Sequence, residues 1–473
     1  MSEELPDGWA TVRLGDILLE IEAGKSYTCE PRRAEPDEWG IIKVSAMTWG
    51  KFNEDENKAV PAYRAPDPRF EIQPGDILVS RANTEAYVGA PVLVGPCRPR
   101  LLLSDKSLRL IPSKEINRRW LVHTLASPLV REQISAKSTG AQESMRNISQ
   151  NALSDIEIPF PPLAEQYRIV ESLEDHLSRL DAGSRALIDS SRRLIRLRTR
   201  LMSAITSQPH PSMTSTTLGA IARQVRNGIS ISRPGTDPIG IPILRIGAVR
   251  ALALDLTDLR YTAISSRSDL PSHALLNPGD LLFTRYNGNP EYVGSCAVVP
   301  DGIESLTYPD KLIRVEVNQS YANPRYVALA CSAGRSRDFI RQAVKTTAGQ
   351  AGISGRDLKA VPLELPDLAE QQRRVEKFDE AHRGLLRLGY ALTLALQRSE
   401  SLRRSLLAEA LAGKLVPQDL ADEPAAELLK RIEIERDSQP KTARTRKPPT
   451  ANKMIDPPKT AIVPTGIQEE LAL

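Results

Sequence analysis

The residues that could do chemistry in this 473-residue chain approach several catalytic patterns and complete none. Gly24-Lys25-Ser26 resembles the end of a phosphate-binding loop, whose backbone amides and lysine cradle a nucleotide, but Leu19 stands where the first glycine is required. Asp67 and Glu71 offer two carboxylates at a nuclease-like spacing, yet the lysine expected two residues later is Gln73. Phe160-Pro161-Pro162-Leu163 has the outline of an amino-methyltransferase tetrapeptide. It lacks the polar first residue that holds a target amine and the aromatic last residue that stacks on a base. No Gly-x-Gly-x-x-Gly loop is present for a nucleotide or for S-adenosylmethionine, and the five histidines are far apart. The four cysteines, Cys29, Cys97, Cys296 and Cys331, form no CxxC pair, so no metal site is expected. These absences favour a non-catalytic chain that binds no cofactor of its own.

The elements that would position binding residues are easier to read, because they occur twice. Leu163-Ala164-Glu165-Gln166, directly after Pro162, and Leu368-Ala369-Glu370-Gln371, after Pro366-Asp367, each open a long polar segment with few helix breakers. In the first, Leu173, Leu177, Leu180, Leu187, Leu194, Leu201 and Ile205 fall on one seam at heptad spacing. The second keeps Phe378, Leu385, Leu392, Leu396 and Leu406, but places His382, Gly389 and Ser399 in the seam. Residues 163–206 would span roughly 65 Å as a straight helix, more than an ordinary domain helix. Two such helices in one chain predict an intramolecular coiled coil. If the halves are related by a pseudo-two-fold axis, the helices pair antiparallel and the two preceding domains sit at opposite ends of a rod.

Those domains repeat as well. Pro74-Gly75-Asp76-Ile77-Leu78 matches Pro278-Gly279-Asp280-Leu281-Leu282, Asn83 matches Asn287, Tyr87-Val88-Gly89 matches Tyr292-Val293-Gly294, and Asp105-Lys106 matches Asp310-Lys311. The offset stays near 204 throughout, and between these anchors the copies differ almost completely. Short apolar runs between proline and glycine turns predict mostly strands, with helix near Trp120 to Ser135. Pro at the start of the first long helix costs no hydrogen bond, and Asp367 with Glu370 form an expected N-cap and capping box. The expected fold class is α+β: two tandem-duplicated mixed α/β domains separated by two long helices forming an antiparallel coiled coil with pseudo-two-fold symmetry. The expected segments are a first domain at 1–160, a first long helix at 161–207, a linker at 208–216 and a second domain at 217–366. A second long helix with its extension, running on to about Glu435, takes 367–436. A tail at 437–473, rich in Pro, Lys and Thr, is expected to be disordered, with an apolar and acidic stretch at Ile467–Leu473.

A net charge of +4 permits nucleic acid as a partner without demanding it. No apolar leader or membrane-length run is present, and the scattered cysteines fit a reducing compartment, so a cytoplasmic protein without membrane contact is expected.

Taken together, the doubled helix starts, the doubled Pro-Gly-Asp elements and the stretch Leu402-Arg403-Arg404-Ser405-Leu406-Leu407 … Gly413-Lys414-Leu415-Val416-Pro417-Gln418 resemble the specificity subunit of a type I restriction–modification system over about Trp9 to Glu435. The resemblance implies two target-recognition domains, each reading one half of a bipartite site in double-stranded DNA. The helices would set the spacing and dock the methyltransferase subunits. It also implies two modification subunits using S-adenosylmethionine, and restriction/translocase subunits using ATP and Mg; this chain would supply none of that chemistry. Phosphate contacts would fix position and base-edge contacts would carry specificity. The candidate DNA-binding residues in the first domain are Lys25, Ser26, Lys43, Ser45, Arg81, Asn83, Thr84 and Lys106, with Gln142, Arg146 and Asn147 in a polar loop before the helix. Those of the second are Arg233, Arg245, Arg285, Asn287, Asn289, Lys311, Gln350 and Arg356. Arg81-x-Asn83 and Arg285-x-Asn287 lead, because both follow an apolar strand-like run and occur in each copy. Asp76 and Asp280 are expected to cap turns, and Lys106 and Lys311 to pair with Asp105 and Asp310. For the arginines Arg192, Arg193, Arg196, Arg198 and Arg200 of the first helix, solvation and partner docking rank ahead of DNA. The alternative function is a coiled-coil protein-interaction scaffold without DNA specificity, which predicts no salt-dependent DNA binding.

Overall fold

The computed structural model describes residues 5–438, apart from residues 49, 141–144, 232, 304 and 348. The tail reading at 437–473 therefore falls almost wholly outside the described residues, as does Ile467–Leu473. The chain divides into two compact units. One holds residues up to Arg185 together with the described residues from Leu396; the other is Ala186–Ala395.

In the first unit, Ile77–Ser80 is buried at every position and lies inside a four-stranded antiparallel sheet. Its neighbours are Ser107–Pro112 and Pro91–Leu93, and Leu18–Ala23 flanks Ser107–Pro112. A smaller sheet centred on Gly40–Ile42 has its own core of Ile41, Met47, Phe70 and Leu101. The helical stretch expected near residues 120–135 is two helices, Arg118–Ala126 and Pro128–Lys137. They part at Ser127, because Pro128 restricts the residue before it and the Ser127 hydroxyl caps the second helix. The second unit builds the same four-stranded order from Ala222–Asn227, Leu312–Val317, Leu281–Thr284 and Cys296–Val298.

The doubled Pro-Gly-Asp element has a structural cause. Gly75 and Gly279 have φ of +90° and +85°, which only glycine adopts without strain. The next carboxylate caps the turn: Asp76 Oδ2 accepts from Gln73 N at 2.9 Å, and Asp280 Oδ2 from Asn277 N at 2.7 Å. Each carboxylate also meets an arginine on the neighbouring strand, Asp76 with Arg109 at 3.1 Å and Asp280 with Arg314 at 2.6 Å. Those arginines donate further, Arg109 to the Glu71 carbonyl at 2.6 Å and Arg314 to the Leu275 carbonyl at 3.2 Å. In both repeats a nearly buried arginine thus ties sheet, turn and neighbouring loop together.

The two long helices are Leu163–Ser207 and Leu368–Leu411. Each unit contains an antiparallel pair made from the beginning of one and the end of the other. In the first unit Ser184 bonds Ser399 at 2.8 Å and Asp181 pairs with Arg403. In the second, Arg374 donates to the carbonyls of Ile205 at 3.1 Å and Gln208 at 2.7 Å. Leu173, Leu177 and Ile205 are buried, as is Phe378. Leu180, Leu187, Leu194, Leu201, Leu385, Leu392, Leu396 and Leu406 are half-buried. The motif glutamines join each helix start to its domain: Gln166 accepts from Asn117 N and donates to the Pro161 carbonyl, both at 3.1 Å. Gln371 does the same with Asn323 N at 2.7 Å and the Pro366 carbonyl at 2.8 Å.

Two expectations need correction. Asp367 does cap the second long helix through Glu370 N at 2.9 Å, but Asp367 N is taken by the Ser212 hydroxyl at 3.0 Å. Glu370 turns to Arg373 and Arg374 instead of closing the box. Nor does that helix run on to Glu435: it stops at Leu411, where Gly413 has φ of +68° and Pro417 and Pro424 follow, and a separate helix forms at Ala425–Asp437. Within the first unit, Gln418 donates to Glu165 at 2.7 Å, Arg168 forks onto Asp422 at 2.6 and 3.3 Å, and Leu428 and Ile432 are completely buried in the core.

The motif glutamates behave oppositely. Burial pushes the Glu165 carboxyl above its ordinary value, against the hydrogen bonds from Trp9 and Gln418. The hydrogen bond from Arg374 holds Glu370 below it. A raised carboxyl gives stability that is full below the ordinary glutamate value and fades as pH rises through the folded value; a depressed one gives stability that is full above the ordinary value and fades as pH falls. Between about pH 7 and pH 4 the wild-type Tm, measured relative to Glu165→Gln, is therefore expected to rise on acidification. Relative to Glu370→Gln it is expected to hold while pH stays above the ordinary glutamate value and to fall once pH drops below it. Calorimetric differences that run parallel for the two variants would refute this.

Candidate nucleic-acid interface

The candidate interface builds from the point where the central buried strand of each unit runs out. In the first unit, Arg81 follows Ile77–Ser80; its N–H donates to the Lys106 carbonyl at 2.9 Å and its carbonyl accepts from Ile148 N at 3.0 Å. Ala82–Asn83 then pairs antiparallel with Arg146–Asn147, which puts Asn83 opposite Arg146. In the second unit Arg285 N donates to the Lys311 carbonyl at 2.8 Å, and its carbonyl accepts from Ile353 N at 3.0 Å. Tyr286–Asn287 pairs with Gln350–Gly352, which pairs in turn with Lys345–Thr347. The fold thus brings Arg81, Asn83, Lys106, Arg146 and Asn147 together, and separately Arg285, Asn287, Lys311 and Gln350. Gln142 lies outside the described residues.

On this shared backbone the side chains diverge. Tyr286 replaces Ala82 and forms a ring platform under two cations, Arg285 at 4.7 Å and Lys311 at 5.1 Å. The ring needs Gly352, since a Cβ there would collide with it. The first repeat has Asn147 at that position, opposite the small Ala82. Size has been exchanged across the strand pair, so each copy packs while presenting a different face.

The remaining candidates separate by what already holds them. Lys25 pairs with Asp67 at 3.1 Å. Lys43 and Ser45 both engage Glu56, at 3.5 and 2.6 Å, and Arg245 pairs with Asp258 at the equivalent place. The amide oxygens of Asn83, Asn287 and Asn289 accept from loop N–H groups at 2.8, 2.9 and 3.0 Å, so they shape their turns. Thr84 accepts through its carbonyl from Tyr87 N at 3.0 Å. Asp310 stands 3.9 Å from Lys311, but Lys106 has no such pair among the described residues. Arg285 donates to the Asp310 carbonyl at 3.2 Å. Arg146 is half-buried, and its Nε has no partner among the described residues. The side chains of Arg81 and Lys106 have no ion pair or hydrogen-bond partner among the described residues, and Ser26, Asn147, Arg233, Gln350 and Arg356 are exposed. Arg233 also carries φ of +53°, unusual for a side-chain-bearing residue. In the first long helix, Arg192 pairs with Asp189 at 3.1 Å and Arg198 donates to the Ala251 carbonyl at 2.7 Å. Sequence reading missed the Tyr286–Gly352 exchange and the carboxylates Glu56 and Asp258; their matching spacing from Lys43 and Arg245 was the available signal. No group of His, Cys, Asp and Glu that could hold a metal, and no helix long and apolar enough to cross a membrane, exists among the described residues.

Comparison with known proteins bears on the same elements. Residues 6–189 match the model of the type I restriction modification DNA specificity domain. The specificity subunit of the type I restriction enzyme EcoKI from Escherichia coli (strain K12) is 32% identical over 460 residues, covering 92% of this chain and 96% of that one. The StySPI specificity subunit from Salmonella potsdam is 27% identical over 458 residues, with 92% and 96% covered. A solved structure described as the basis of complex assembly and conformational transition of the type I R-M system shares the fold, with a TM-score of 0.65 at 20% identity over 87% of this chain and all of that one.

Proposed function

The chain belongs to the family of type I restriction enzyme specificity subunits, and from that membership we propose that each of its two domains reads one half of a bipartite DNA site. One observation carries the reading: the same strand end, with an arginine whose N–H donates to a backbone carbonyl and whose carbonyl accepts from a backbone N–H, is built twice and dressed with different side chains. Shared positioning with divergent surfaces suits two readers of different sequences on one duplex. The chain's role is recognition, not catalysis. Two modification subunits would transfer the methyl group from S-adenosylmethionine to adenine, and restriction subunits would use ATP and Mg to translocate and cut. Acting on chromosomal DNA places the protein in the cytoplasm. The test is adenine-methylation mapping of the host genome with the gene present and deleted. Loss of one two-part motif with a fixed gap is expected; no change in any motif would refute the reading.

Arg285→Ala should weaken one half-site by about 1–3 kcal/mol and leave the other intact, and Arg81→Ala should do the reverse. Equal loss at both half-sites in a competition assay with single-half mutant duplexes would count against the assignment. The long helices would set the gap between half-sites. Removing one heptad from the half-buried middle of both shortens them by roughly 10 Å, equivalent to about three base pairs, and the preferred gap should shrink accordingly. An unchanged gap in the methylated motif would end the ruler idea.

A further inference from the structure

In the second unit, Ala222–Asn227 pairs with Leu312–Val317 so that Arg226 stands opposite Arg314. The short helix Gly355–Lys359 packs on this strand; a Cβ on Gly355 would lie 3.5 Å from Val225. Between them opens a cleft of about 560 Å³ whose lining includes Arg226, Asn227, His273, Arg356 and Lys359 and no carboxylate. Arg226, Arg356 and Lys359 are exposed, and none has a side-chain ion pair or hydrogen bond among the described residues. The nearby acids are committed: Asp357 to Ser354 Oγ at 2.5 Å and Ser354 N at 3.0 Å, and Glu316 to Arg314 at 3.4 Å. Like charges directly opposite on paired strands are destabilising, so the fold gains nothing from Arg226 facing Arg314.

The first repeat fills the same places differently. Glu22 stands where Arg226 does, opposite Arg109, and is 8% exposed. It pairs with Arg69 at 3.1 Å and Arg109 at 3.4 Å. Asn151 and Ser154 occupy the positions of Arg356 and Lys359 in the matching helix Gln150–Ser154, which Ser149 caps as Ser354 caps its counterpart. One repeat therefore neutralises this corner, and the other concentrates three cations there that have no ion pair among the described residues.

We propose that this cleft is an anion site, present only in the second unit, that holds backbone phosphate of the DNA beside the half-site. The proposal rests on the DNA-reading function. Continuity with the interface favours a DNA phosphate over other anions. Asn227 leads into Gly228, whose N–H donates to the Leu312 carbonyl at 3.2 Å, next to Lys311. On the other side, Ile353 is bonded to Arg285 and runs directly into Ser354 and the helix that carries Arg356 and Lys359. Both walls of the cleft thus extend from the edge that carries Arg285 and Lys311. Two guanidinium forks and an ammonium suit phosphate oxygens.

The test measures binding of the full chain to a duplex carrying its mapped two-part site over a series of salt concentrations. It compares the wild type with the triple variant R226Q/R356Q/K359Q. The slope of log K against log salt is expected to become shallower by about 2–3, with the ranking of DNA sequences unchanged. The single substitution Arg226→Glu, which installs the first repeat's charge, should lower affinity at every sequence alike, and its melting temperature serves as the folding control. A slope within error of the wild type overturns the proposal, and so does altered base preference in the triple variant. Unchanged DNA binding with lost capture of the modification subunits would instead assign the cleft to an acidic protein surface. Absence of salt-dependent DNA binding by the wild type would sink the DNA-reading function as well, which separates the two failures.

Discussion

The double substitution Leu428→Ala with Ile432→Ala is expected to remove about 4–8 kcal/mol from the first unit, most of what holds a domain folded. Both side chains are completely buried among residues that include Trp120, Ile169 and Leu173. Each truncation loses the transfer energy of the side chain and leaves a cavity that a packed core fills only in part. The surrounding polar bonds do not compensate, because Arg431 with Glu423 and Glu115 sits at the surface, where such pairs contribute little. Calorimetry should show the first unit's transition moving to low temperature or vanishing, and the second unit's transition staying where it was. Limited proteolysis should then cut within residues up to Arg185 before it cuts elsewhere. A wild-type melting profile would mean that the helix Ala425–Asp437 is an accessory to the core.

Replacing Asp280 with Ala should cost the second unit about 3–5 kcal/mol, the usual consequence of leaving one member of a buried ion pair without the other. Arg314 is 4% exposed and Asp280 3%. Burial pushes the Asp280 carboxyl above the ordinary aspartate value, opposed by Asn277 N and by Arg314. The pair is thus a compromise that works only while both charges are present. Glu316 remains 3.4 Å from Arg314, but its side chain is 37% exposed, so it compensates weakly. Asp76→Ala should cost the first unit less, since Arg109 keeps the nearly buried Glu22 at 3.4 Å. Substituting both Asp280 and Arg314 by apolar residues should recover much of the loss. Urea denaturation of the single and double variants measures the coupling directly. Additive losses would show that the two residues act independently.

Repetition made the scaffold legible. Pro-Gly-Asp occurring twice announced a turn with a capping carboxylate, to which the structure adds the positive φ of its glycine, and the two Leu-Ala-Glu-Gln starts marked both long helices within a residue or two. Local spacing carries such features because their partners lie within a few positions. It could not show that Lys43 and Arg245 are answered by Glu56 and Asp258, that Tyr286 needs Gly352, or that Arg226 replaces a buried Glu22. Those pairings arise across strands and loops, where separation in sequence says nothing about proximity. The break after Leu411 is hidden in the sequence for a related reason. Leu428 and Ile432 have helical periodicity, which reveals an apolar face but not that Gly413 and two prolines have already detached it from the helix before.

The core of the first unit contains both Val12 and Ile432. A ribosome makes the chain in one direction, at about 5–20 residues per second. The first domain therefore emerges with one wall of its core still unsynthesised, and waits roughly 10–50 s for Leu407, Leu428 and Ile432 to follow. During that interval the core to which Leu173 and Leu177 belong lacks those residues while the second domain is being translated. Order of birth is thus the reverse of order of completion: the unit that starts first finishes last, and a nascent chain stalled before residue 425 carries an unfinished first reader beside a second whose own residues are already all present.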